Sequence, residues 1–233
     1  MKAALTQLRV VRYFVLLYLM QISCAMALAN SEGKITCYAL KAEHQEHARQ
    51  MLRDYVSQSL AKANNIMAEA YYEQESPNVL WLIERWVNGP NKSVAISEEV
   101  LLTPAKVYIV NDLEPLSKEQ WRRSANRTDS SFTVMLFVDS KTGTEDSFKS
   151  IYHNAMPKFR SEAGVVTYQL SQFSADITQF VTYEKFRNEA AFQYHLTFPP
   201  IKPVISYLET NIKNPPFQNG LHKLIEFAPL KRE

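Results

Sequence analysis

Apolar positions change period along the chain. Residues 35–42 make a run of strand length, and across 43–64 Ala48, Leu52, Tyr55, Val56, Leu60 and Ala63 fall on one face of a 3.6-residue period, so a strand followed by a helix is expected. Two aromatic-rich runs, 66–73 and 79–87, flank Gln74-Glu75-Ser76-Pro77-Asn78, whose turn chemistry predicts a hairpin. A short helical stretch over 94–101 and a strand over 106–110 follow.

The same order returns from Phe132. A strand is expected over 132–138, then a helix with Phe148, Ile151, Tyr152, Ala155, Met156 and Phe159 on one side. Thr142 and Glu145 have capping-box spacing for its start. Pro157 should kink its last turn for want of a backbone donor, and Gly164 should end it. Strands over 165–173 and 178–186 form a second hairpin, a helix begins at Glu189 and is interrupted by Phe198-Pro199-Pro200 and Pro203, and a strand over 221–227 closes the half.

The halves also agree in letters. Leu80-Trp81-Leu82-Ile83-Glu84-Arg85-Trp86 aligns without gaps on Phe180-Val181-Thr182-Tyr183-Glu184-Lys185-Phe186, so a Glu-basic-aromatic triplet ends the third strand of each half. Similar segments in the same element of two identically ordered halves point to internal duplication. The first half lacks room for a full second helix, and the polar stretch 113–131, with Pro115, reads as a linker.

The N-terminus changes the picture of location. Basic Lys2, Arg9 and Arg12 precede the apolar run 13–22 and the small residues Ala25, Ala27 and Ala29, the order of a cleavable secretory signal. Cleavage after Ala29 is expected, and the run is shorter than the roughly 20 apolar residues that span a bilayer. An exported protein, periplasmic or secreted and without stable membrane insertion, is the expectation. Cleavage removes Cys24 and leaves Cys37 alone, which excludes an internal disulfide; the mature chain of about 200 residues must be held by its core. Of 26 basic and 24 acidic residues, three basic ones leave with the signal. The near-zero mature charge and the lack of a basic cluster argue against nucleic acid as a partner.

The second half resembles the antibiotic biosynthesis monooxygenase family. The resembling residues are Glu162-Ala163-Gly164-Val165-Val166-Thr167-Tyr168, then 180–186, then Asn188-Glu189-Ala190-Ala191-Phe192-Gln193-Tyr194-His195. The likeness covers residues 132–212, and 35–87 more loosely. It implies an α+β fold: two tandem ferredoxin-like repeats packed sheet to sheet as a dimeric α+β barrel within one chain, with divisions at 1–29, 30–112, 113–131 and 132–233. It also implies a pocket between sheet and helices.

In that family pattern His195 stands beside the pocket, where a neutral imidazole could take a phenolic proton. Glu184 and Phe186 share a strand face, as do Glu84 and Trp86, and a carboxylate facing a partly apolar cavity would have a raised pKa and could orient a His or a substrate hydroxyl. The competing reading makes both glutamates ion-pair partners locking sheet to helix, with Arg85 and Lys185 on the solvent side. Tyr168, Tyr183, Phe180 and Phe192 could wall an aromatic pocket or simply fill the core. Haem-degrading relatives place an iron-binding His further along the second helix, where this chain has Pro199-Pro200-Ile201-Lys202-Pro203-Val204, so haem is not expected. His44 and His47 lack zinc-motif spacing.

The expectation is therefore a cofactor-independent monooxygenase whose partners are an aromatic, quinol-like or phenolic small molecule and O2. His195 and Glu184 are its expected catalytic residues, and Tyr168, Phe186 and Phe192 bind substrate; no cofactor or metal is called for. The alternative is a non-enzymatic ligand-binding or interaction protein on the same fold.

Overall fold

The computed structural model describes residues 31–89, 94–126, 128–215 and 220–229; the expected signal segment lies outside them. In chain order the elements are β1 (Ser31–Ala39), α1 (Gln45–Leu60), β2 (Asn65–Glu73), β3 (Val79–Val87), β4 (Lys106–Leu113), α2 (Lys118–Trp121), β5 (Phe132–Asp139), α3 (Glu145–Arg160), β6 (Val165–Phe173), β7 (Gln179–Phe186), α4 (Glu189–His195), α5 (Lys202–Thr210) and β8 (Leu221–Ala228). The short stretch expected near residue 98 is a single 3-10 turn, Glu98–Val100.

The strands close into one antiparallel barrel in the order β1-β3-β2-β8-β5-β7-β6-β4. Each half supplies a sheet of the same internal order, β4-β1-β3-β2 and β8-β5-β7-β6. The two are hydrogen-bonded edge to edge where β2 meets β8 and β4 meets β6, so no full-length strand edge is left open. Their concave faces share one interior core containing Ile35, Tyr71, Trp81, Ile83, Met135, Val181 and Tyr183. The pairing of β2 with β3 and of β6 with β7 shifts register at matching places, Asn65/Met67 and Val165/Thr167.

Alternation along a strand explains the repeated triplet. Leu80, Leu82, Glu84 and Trp86 face the helix layer, whereas Trp81, Ile83 and Arg85 face the barrel interior; β7 repeats this with Lys185. Both faces are covered, so these strands read as continuous apolar runs. Contrary to the solvent-side reading, Arg85 and Lys185 are buried, 1% and 2% exposed. Arg85 Nε donates to Asp112 at 2.8 Å and its guanidinium lies 4.8 Å from the Trp121 ring centre. Lys185 Nζ donates to Glu69 at 2.7 Å and Glu226 at 3.3 Å. Buried charges persist only when paired in this way.

Several local expectations are corrected. Thr144, not Thr142, precedes α3, and its hydroxyl donates to the Lys141 carbonyl instead of capping the helix. Pro203 lies in the first turn of α5, where a missing N–H costs nothing, so the interruption is confined to 196–201. The stretch read as a plain linker is packed: Ser117 and Gln120 form a capping box for α2, and Leu116, Trp121 and Ala125 are buried. Trp121 joins the barrel core beside Tyr183.

Candidate active site

In the second half, α3 lies on the outer face of the sheet through Phe148, Tyr152, Met156 and Phe159, and α5 adds Val204, Tyr207 and Leu208. Each such buried side chain contributes about 1.5–3 kcal/mol of transfer free energy. The helix α4 enters through Asn188, whose side chain caps it by accepting from the Ala191 N–H at 2.9 Å. It passes directly over the Glu162-Ala163-Gly164 turn, where a Cβ on Gly164 would lie 2.4 Å from Ala191 Cβ. Glycine is required there by close approach rather than by backbone angle, and that approach brings the end of α4 alongside Glu162.

The result is a buried pair. His195 Nδ1 and Glu162 Oε1 are 2.7 Å apart, both side chains almost fully enclosed. Phe159, Tyr168 and Phe186 surround the imidazole, with ring centres 4.7, 5.3 and 5.4 Å away. Burial lowers the His195 pKa to about 4, which keeps the ring neutral. Burial, and secondarily the charge of Glu184, raises Glu162 to about 7. Glu162 Oε2 is buried without a hydrogen-bond partner, a state that native proteins seldom leave unused.

Glu184 also rises to about 7, chiefly through burial. Tyr168 links it to Tyr152 by hydrogen bonds, and burial followed by the Glu184 charge pushes the Tyr168 phenol well above its ordinary range. His195, Glu184, Tyr168, Tyr152 and Phe192 line a cavity of about 30 Å³ whose remaining wall is aliphatic, room for about one water. Phe186 stands behind His195 and packs on Phe192.

All five expected site residues thus meet in one place. The carboxylate that holds His195 is Glu162, however, while Glu184 engages Tyr168. Glu162 was visible in the sequence only as part of the Glu-x-Gly turn; its partnership needs the long-range approach of α4. Tyr183, considered as a pocket wall, is on the opposite face and points into the barrel, where its hydroxyl lies 2.6 Å from that of Tyr71. Phe180 packs under α3 against Phe148.

Among the described residues the first half has no equivalent pair. Lys62 and Asn64 stand where the second half has Glu162 and Gly164, and no helix corresponds to α4 among the described residues. Glu84 accepts from Tyr55 of α1 at 2.7 Å and from Trp86 at 3.0 Å and pairs with Lys34 of β1 at 3.8 Å, so its ion pair lies within the sheet and its link to the helix is the Tyr55 hydrogen bond.

These features define an α+β barrel with an acid-and-imidazole site under the helices of its second sheet. Residues 131–203, within the second half, match the family model for antibiotic biosynthesis monooxygenase. The solved structures add the fold of nearly the whole chain. A protein assigned as a monooxygenase from Fusobacterium nucleatum subsp. nucleatum ATCC 25586 superposes with a TM-score of 0.70 at 12% identity, covering 84% of this chain and 92% of that one. Another so assigned, from Lactobacillus acidophilus NCFM, gives 0.67 at 13% identity over 84% and 94%. An anthrone oxidase-like protein gives 0.57 at 8% over 84% and 92%. Comparison with curated proteins gives no match.

Proposed function

We propose that the second half oxygenates a quinol-like or phenolic small molecule without a cofactor, with His195 as the base, in an exported protein whose halves are copies of one unit. The observation that carries this reading is the buried His195–Glu162 pair at 2.7 Å beside a small cavity of mixed aromatic and aliphatic wall. With Nδ1–H donated to Glu162, the imidazole lone pair is on Nε2 and can take a proton from a substrate hydroxyl or activated C–H. In its ionised form Glu162 stabilises the imidazolium as it forms and so offsets the burial that lowers His195 to about 4. Tyr168, whose phenol stays protonated, supplies a donor for the developing oxyanion, and Glu184 adds one in its protonated fraction. The anion is electron-rich enough to reduce O2 itself. For a ring methylene, one oxygen atom becomes the carbonyl, the other leaves as water with the two hydrogens, and the substrate carbon supplies the electrons.

A cavity of about 30 Å³ does not admit a phenol, so α4 and α5 must yield for substrate to enter. That same volume favours a second reading, in which the filled cleft is structural and the protein only binds a ligand or partner. Replacing His195 by alanine and Glu162 by glutamine separates the two. The oxygenase reading expects turnover lost in the first variant and lowered about 100-fold or more in the second, with circular dichroism unchanged; full activity in His195→Ala sinks it.

A further inference from the structure

A cavity of about 570 Å³ lies elsewhere, at the seam between the halves. It arises because β8 is short on this side. Its pairing with β2 starts at Ala70–Ala228, so, among the described residues, positions 65–69 of β2 have no strand neighbour on that side. At the corresponding place in the other seam, Gln169 closes the gap by donating to the Leu113 carbonyl, with Arg160 bonded to both Gln169 and the Glu114 carbonyl. The first seam has instead the packed segment 121–125 over an open space.

The lining is apolar on its walls and charged at two levels. Val56, Leu60, Met67 and Phe227 give the walls. Lys185, with Glu69 and Glu226, forms a floor whose charges answer one another. The rim carries Arg53, Arg122 and Arg123, so the lining holds four basic residues against two acidic ones. Arg53 is paired with Glu46 at 2.8 Å. Arg122 is fixed by the carbonyls of Leu60, Asn65 and Ile66, which orient the guanidinium without neutralising it. Arg123 makes no ion pair among the described residues, and Arg53 Nε is buried without a partner.

We infer that this seam cavity binds a small organic anion, its apolar body against Met67 and Phe227 and its carboxylate or comparable group on the rim arginines. The volume falls within the range that holds small-molecule ligands, and planar anions meet guanidinium groups with two parallel hydrogen bonds. The site shares no residue with the His195 cleft and does not depend on the oxygenase reading.

The test is calorimetric titration of the purified chain with 1-naphthoate, against the uncharged 1-naphthalenemethanol. Arg123→Glu reverses a rim charge at an exposed position, and Ser124→Trp fills the mouth from another; unchanged melting curves establish that both variants fold. Saturable naphthoate binding is expected, weakened about tenfold or more in each variant and for the neutral analogue, and unaffected by His195→Ala. Absence of saturable binding overturns the inference. Equal affinity in the wild type and both variants overturns the location, and equal affinity for the uncharged analogue overturns the ligand class.

Discussion

Gly164→Ala is the sharpest structural perturbation of the site. The added Cβ would meet Ala191 Cβ at 2.4 Å and Ala191 Cα at 3.3 Å, whereas carbon atoms pack at about 3.5–4.0 Å. The helix α4 must therefore retreat by about 1 Å, and the 2.7 Å His195–Glu162 contact opens toward the limit of a hydrogen bond. Overpacking of this kind costs about 1–3 kcal/mol, and a 1 Å misplacement of a catalytic group costs about 100-fold in rate. Ala191→Gly alone should cost about 1 kcal/mol through helix propensity. In the double variant the clashing methyl is gone, so the two losses should be far from additive, with a favourable coupling of about 1 kcal/mol or more. Urea unfolding of the four proteins measures this directly. A fully stable Gly164→Ala protein, or additive losses in the double variant, would refute the idea that this glycine sets the spacing of the pair.

Other expectations concern charge and the barrel. Glu184 has its folded pKa raised to about 7 from 4.5, so the stability it contributes is present below pH 4.5 and lost as pH rises through 7; Glu184→Gln should therefore be more stable than wild type at pH 8, by on the order of 3 kcal/mol, with little gain at pH 4. His195 has the opposite sign, since its folded pKa falls to about 4 from 6.5: stability present above pH 6.5 declines toward pH 4, and denaturation midpoints of His195→Ala should lack that decline. Lys185→Met leaves the buried Glu69 carboxylate without its cation and should cost about 3–5 kcal/mol in urea unfolding. Trp121→Ala should cost about 3–5 kcal/mol, because the segment joining the halves is part of the core; a surface linker would show almost no change.

Much of the fold was legible because both periods were clean. The runs at 79–87 and 165–173 emerged as strands with those bounds, and the two halves kept their common order. What the sequence hid were properties of closure. Alternation places Arg85 and Lys185 opposite Glu84 and Glu184, but only a closed barrel puts that second face in the dark, so two basic side chains that read as solvated became buried ion pairs. Trp121 was concealed by the polar residues around it. His195, Glu184, Tyr168, Phe186 and Phe192 were named by resemblance and by strand alternation, and they lie close together in the fold. The partnership of His195 with Glu162 spans 33 positions and depends on a contact between Gly164 and Ala191, which no local period encodes.

The central claim, that the cleft beside His195 performs oxygen chemistry, is tested most directly with an oxygen electrode. Purified protein is given a panel of hydroquinones and polycyclic phenols without added flavin or metal, alongside His195→Ala and a protein-free blank. Uptake well above autoxidation that disappears in the variant is the predicted result. Uptake that matches the blank, or that persists unchanged without the imidazole, would contradict the account and leave the cleft as packing beneath a binding protein.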